Sequence, residues 1–144
     1  MKPRKIKDGI YWMGAVDWDR RLFDSLIPLP DGTSYNAYLV QGSAKTVLFD
    51  TVDPTMVGIL LSQLERVRNI DFVVAHHAEQ DHSGSIPHVL DKYQKAKVLT
   101  TPQGKGMLID LLRIEDERIV TVGDGEVLSL GDKTLEFIHT PWVH

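Results

Sequence analysis

The stretch Ile70-Asp71-Phe72-Val73-Val74-Ala75-His76-His77-Ala78-Glu79-Gln80-Asp81-His82-Ser83-Gly84 changes character halfway along. Its first half is a short apolar, β-branched run broken only by Asp71, the pattern of a strand buried on both faces. Its second half places His77, Glu79, Asp81 and His82 within six residues, with Ser83-Gly84 as a tight turn into a helix. The spacing predicts a central strand from Ile70 to Ala75 that opens into a polar loop, and ends of strands in α/β sheets are where ligand sites collect. Four such polar groups cannot all enter an apolar core without a heavy desolvation cost. His77 and Glu79, two apart in an extended segment, project to one side. Asp81 and His82 fall just before the expected helix, where the backbone field favours anionic groups. The plain alternative is a solvated loop that happens to hold histidines. The position directly behind a buried strand favours metal ligands instead.

Working outward, Tyr35 to Val40 and Thr46 to Asp50 read as a β-hairpin around Gln41-Gly42-Ser43-Ala44-Lys45. Asp53-Pro54 supplies an N-cap and first-turn proline, and Val57, Leu60, Leu61, Leu64 and Val67 share one helical face, with Gln63 on the outer one. Ile86, Val89, Leu90 and Tyr93 repeat at helical spacing, leaving His88 on the exposed side. Lys97 to Thr100 is a further strand, and Thr101-Pro102 opens a helix whose apolar positions are Met107, Leu108, Leu111 and Leu112. Gln103-Gly104-Lys105-Gly106 lacks the spacing of a phosphate-binding loop and reads as the first turn of that helix. The tail is β-rich, over Ile119 to Val122, Glu126 to Leu130 and Thr134 to Thr140, which places His139 inside a strand as a packed residue. Asp17 to Ser34, rich in turn formers, reads as a long surface loop. Hairpins, then strand–helix–strand units, then hairpins give an α/β (α+β) fold, a mixed sheet with helices on its outer side.

Composition narrows the chemistry. The chain has 144 residues, 16 basic and 20 acidic, a net charge of −4, and no cysteine. That charge leaves no electrostatic footprint for nucleic acid. Without cysteine there are no disulfides, thiolate zinc sites, iron–sulfur centres or cysteine nucleophiles. Any metal must be held by histidine and carboxylate. Met1-Lys2-Pro3-Arg4-Lys5-Ile6-Lys7 is basic, but no apolar run follows, and it reads as a solvated edge strand of a cytoplasmic, non-membrane protein. Trp12, Trp18 and Trp142 read as core or site-lining aromatics. Past Pro141, His144 is the better candidate for one more ligand from across the site.

The run His77-x-Glu79-x-Asp81-His82 resembles the metal motif of the metallo-β-lactamase superfamily, with glutamate where hydrolases carry a second histidine. That glutamate and the following Ser83-Gly84 are similar to those of flavodiiron proteins, the A-type flavoproteins or flavorubredoxins. Ser34-Tyr35-Asn36-Ala37-Tyr38-Leu39-Val40, Leu48-Phe49-Asp50-Thr51-Val52-Asp53 and Thr140-Pro141-Trp142-Val143-His144 carry the same resemblance.

The resemblance implies a metallo-β-lactamase-like αββα sandwich holding two non-haem irons, followed in the family by a flavodoxin-like domain with FMN. By motif position, His77, Glu79 and His144 resemble the ligands of one iron, and Asp81 and His82 those of the other. His76, adjoining them, is expected to support the ligands. Residues 1–144 are then expected to be the first part of the diiron domain, short of its bridging aspartate and last histidine, with the flavin domain absent. Such a chain is expected to be inactive and prone to self-association by itself. The implied reaction is reduction of dioxygen to water or of nitric oxide to nitrous oxide. Rubredoxin or a reductase is the expected electron donor, and a head-to-tail dimer the expected assembly. Glu79 adds an anionic oxygen donor, which suits iron and a redox change better than zinc hydrolysis. A zinc-type metallo-hydrolase of the same fold is the first rival reading. A non-catalytic metal-binding subunit completed by a partner chain is the second.

Overall fold

The computed structural model describes residues 2–141. In chain order its strands are β1 (Arg4–Lys7), β2 (Ile10–Trp12), β3 (Ala15–Asp17), β4 (Leu22–Phe23), β5 (Ile27–Pro28), β6 (Thr33–Tyr35), β7 (Tyr38–Gln41), β8 (Thr46–Phe49), β9 (Phe72–Val74), β10 (Lys97–Thr100), β11 (Ile119–Thr121), β12 (Val127–Ser129) and β13 (Thr134–Glu136). The helices are α1 (Val57–Gln63), the single turn α2 (Gln80–Ser83), α3 (Ile86–Lys92) and α4 (Pro102–Leu112).

The main sheet has the order β1-β2-β7-β8-β9-β10-β11. Its first half is antiparallel, as hairpins require, and from β8 onward each neighbour is parallel. Parallel neighbours need crossovers, and α1, α3 and α4 lie in the segments joining β8 to β9, β9 to β10 and β10 to β11. Strand alternation sorts the apolar residues onto two faces. Leu48, Val73 and Val98 meet Leu60, Leu64, Ile86, Val89 and Leu108 in the larger core. Val47, Val74 and Leu99 face Leu130, with Leu128, Leu135 and Phe137 of the β12–β13 region packed beside them. The central strand is thus covered on both sides, as its composition requires.

Asp71 secures the amino end of that strand. Its carboxylate accepts from Thr46 N–H at 2.8 Å, and its backbone bonds both Thr46 and Lys97. Capping also follows the sequence. Asp53 accepts from Thr55 N–H at 2.9 Å, and Thr101 from Gly104 N–H at 3.1 Å. The basic start forms the fully exposed edge strand β1, and His88 is exposed.

Several expectations are corrected. The supposed loop from Asp17 to Ser34 contains two short ladders, β3 with β6 and β4 with β5. It is organised by Asp17, whose buried carboxylate accepts from the N–H groups of Asp19 and Arg20 and from Tyr35 Oη. Gln63 is buried, because its Nε2 donates to Gly14 O at 2.9 Å and so gains a partner inside. On α4 only Leu108 is buried, while Met107 and Leu111 remain exposed, since one narrow stripe of the helix meets the sheet. The last strand stops at Glu136, and His139 is exposed, with its backbone N–H bonded to Asp124. Trp18 is 69% exposed rather than core. Trp142 lies outside the described residues.

Burial, together with the negative charges of Asp53 and Asp17, pushes the Tyr35 phenol up to about 12. A folded-state value above the unfolded one means this group's contribution is complete below about pH 10 and is lost as pH rises toward 12. Tyr35→Phe is therefore expected to cost about 1 kcal/mol near neutrality, the net worth of its hydrogen bond. The same variant should resist alkaline unfolding better than the parent. Denaturant melts at pH 8 and pH 11 check both signs; parallel pH curves for the two proteins would refute the assignment.

Candidate metal centre

At the carboxyl end of β9 the backbone leaves the sheet through Ala75, whose carbonyl accepts from Thr100 Oγ1 at 3.0 Å. His76 follows and is caught by Asp50, from the crossover after β8. One Asp50 oxygen accepts from His76 N–H at 3.0 Å and the other lies 2.8 Å from His76 Nδ1. The hydrogen bond to Asp50 raises the His76 imidazole above its ordinary value, burial opposing it in part. His76 also stacks on Phe49, with ring centroids 6.0 Å apart. Its side chain is committed to Asp50 rather than to His77 or His82.

His77, Glu79, Asp81 and His82 are all half-buried, between core and solvent. Glu79 N–H donates to His77 Nδ1 at 3.3 Å. The His77 and His82 rings meet edge to face, with centroids 4.8 Å apart. His82 Nε2 lies 3.2 Å from Asp81 Oδ2. Asp81 and His82 belong to the helical turn α2 itself rather than preceding a helix, because Ser83 and Gly84 N–H bond back to Glu79 and Gln80. Ser83 Oγ donates to Ala78 O at 2.8 Å, tying the turn to the loop.

A cleft of about 280 Å³ opens beside this loop. Asp24, Asp53, Glu79 and Asp81 line it with carboxylates, and among the described lining residues Arg20 brings the one cation. Arg20 reaches it from the loop that Asp17 organises, 3.5 Å from Asp53 and donating from Nε to Leu22 O. Arg20, Asp50 and Thr51 were not singled out as site residues from sequence. The available signal was an acid and a hydroxyl at the end of the strand neighbouring the histidine strand.

The donor chemistry fits a hard or borderline metal, with imidazole and carboxylate and no thiolate. His82 Nδ1 is buried with no hydrogen-bond partner among the described residues, an orphaned lone pair or N–H of the kind a ligand resolves. The described side chains do not by themselves gather into a group of three or more that could hold an ion. His144 lies outside the described residues.

Residues 33–144 match the family model described as ODP family beta lactamase. The type A flavoprotein fprA of Rhodobacter capsulatus is 39% identical over 147 residues, covering 99% of this chain and 34% of that protein. The rubredoxin-oxygen oxidoreductase of Megalodesulfovibrio gigas is 38% identical, covering 100% of this chain and 36% of its own length. The crystal structure of the flavodiiron protein from Giardia intestinalis superposes with a TM-score of 0.91 at 29% identity, covering 100% of this chain and 36% of that one. The chain thus spans about a third of the length of the curated relatives it matches, 34% and 36% for these two.

Gly84 is where the turn carrying Asp81 and His82 lies against the crossover. A Cβ there would stand 2.5 Å from Gln80 O and 2.8 Å from Pro54 Cδ, both parts of ordered turns. Gly84→Ala is expected to lower stability by about 1–3 kcal/mol, the usual cost of overpacking. It should also separate the His77 and His82 rings. Urea melts and histidine ring spectra check this, and a wild-type melt with unchanged ring signals would contradict it.

Proposed function

We propose that this chain, which belongs to the ODP family of beta lactamases with the flavodiiron proteins and shares their metallo-β-lactamase-like fold, carries ligands of a non-haem diiron site. His77, Glu79 and His144 are assigned to one iron, Asp81 and His82 to the other. The activity proposed is reduction of dioxygen to water or of nitric oxide to nitrous oxide. FMN on a flavodoxin-like domain, rubredoxin or a reductase as donor, a head-to-tail dimer and a cytoplasmic setting complete the reading. Among the described residues no helix is long and apolar enough to cross a membrane.

The observation that carries the reading is the half-buried His77, Glu79, Asp81, His82 set at the carboxyl end of a parallel strand, with His82 Nδ1 orphaned. The names of the relatives, a rubredoxin-oxygen oxidoreductase and a nitric oxide reductase among them, support the redox half of it. When bound, the diiron pair supplies the change of oxidation state that the reduction of a diatomic gas needs.

The chain's own residues hold and tune that site. Glu79, an anionic oxygen donor in place of a neutral imidazole, stabilises the higher oxidation state and hardens the ligand set. Arg20, held on Asp53, offsets part of the carboxylate charge in the cleft without occupying a ligand position. Thr100 fixes the loop backbone ahead of His77, at Ala75, and Ser83 fixes it between His77 and Glu79, at Ala78.

The zinc-hydrolase reading uses the same loop, so metal preference separates the two. Joined to the family segments that supply a bridging aspartate and a last histidine, and grown with iron and zinc in equal supply, the chain is expected to retain iron. Glu79→His should shift retention toward zinc and reduce oxygen or nitric oxide consumption. Two zincs and no iron in the parent protein would favour hydrolysis over the redox reading.

A further inference from the structure

The crossover after β8 touches the histidine–carboxylate loop at both of its ends. At the first end Asp50 receives His76 through both carboxylate oxygens, at 3.0 and 2.8 Å. Its own N–H is fixed on Val74 O at 2.8 Å. Asp50 takes a left-handed backbone, φ +54°, a conformation that aspartate tolerates better than most residues. At the other end the fully buried Thr51 donates twice to one atom, from N–H at 2.8 Å and from Oγ1 at 2.6 Å, both to His82 O.

These bonds matter because the loop has little structure of its own. The helical turn bearing Asp81 and His82 is four residues long, too short to persist without tertiary support. What fixes the direction of His82 is therefore what holds its backbone, and two of those bonds come from Thr51. With His76 gripped by Asp50, both ends of the segment between them are set by one two-residue brace. The edge-to-face meeting of the His77 and His82 rings at 4.8 Å lies within it.

We infer that Asp50 and Thr51 are positioning residues: together they clamp His76 and His82 and thereby bring His77 and His82 into ligand register. This rests on the metal reading of His77 and His82, although the clamp is visible without metal.

The test uses the 144-residue chain and three variants. Thr51→Val keeps the volume and the backbone bond but removes the hydroxyl, and Thr51→Ser restores it. Tyr93→Phe is the control. It deletes a buried hydroxyl that donates to Leu64 O and Val67 O, away from the loop. In metal-free protein, nuclear Overhauser contacts between the His77 and His82 rings are expected in wild type, Thr51→Ser and Tyr93→Phe. They should be lost in Thr51→Val. Titration with cobalt(II), read by its visible ligand-field bands, should show affinity falling by about 10–100-fold in Thr51→Val, the range for loss of an outer support. Thr51→Ser and Tyr93→Phe should keep the wild-type bands. Ring contacts and affinity that survive Thr51→Val, or a loss that Thr51→Ser fails to reverse, would overturn the clamp. Should wild type bind no cobalt while Thr51→Val still loses the ring contacts, the metal reading fails and the clamp stands.

Discussion

The parallel pairing of β9 between β8 and β10 is the constraint on which the rest of the site depends. Both faces of that strand are covered, so the residues that continue it have no apolar surface left to join. The chain must leave the sheet at the carboxyl edge, and what leaves is the segment beginning at His76. The neighbouring strands end at the same edge, which delivers Asp50 and Thr51 on one side and Thr100 on the other. Each donates to or accepts from the departing backbone. A polar loop on a rigid edge is thereby held by groups that the sheet itself positions.

Electrostatics adds a second layer. Asp24, Asp53, Glu79 and Asp81 share a cleft in which Arg20 is the lining cation. A bound cation would offset part of the negative charge that these side chains bring to the cleft. Asp53 is partly accounted for, since it caps the turn at Thr55 and faces Arg20. Asp81 lies on the loop itself, 3.2 Å from His82 Nε2. Under the proposed metal reading, affinity and loop order would be linked, as the binding free energy of an ion also serves to order its ligands.

Much of this was legible in the sequence because its signals are local. The apolar run before His76 identified the central strand, and Asp53-Pro54 and Thr101-Pro102 marked helix starts. The clustered histidines and carboxylates marked the loop. What escaped depends on partners far along the chain. Gln63 looks like a surface residue until Gly14 O is placed beside it, and Asp17 like part of a loose loop until Tyr35 and two backbone amides converge on it. Asp50 and Thr51 were visible as residues, but their bonds to His76 and His82 cross about 26 and 31 positions. No periodicity encodes such pairs. His139 failed for another reason: a strand pattern continued on paper past Glu136, where the ladder ends.

Iron K-edge X-ray absorption of the iron-loaded chain tests the central claim most directly, because it reads which atoms surround the metal. The loop at the end of β9 predicts a shell of nitrogen and oxygen only, with imidazole scattering that diminishes in His77→Ala and again in His82→Ala. A spectrum without imidazole scattering, or one indifferent to both substitutions, would contradict the assignment of this loop as the metal-holding element.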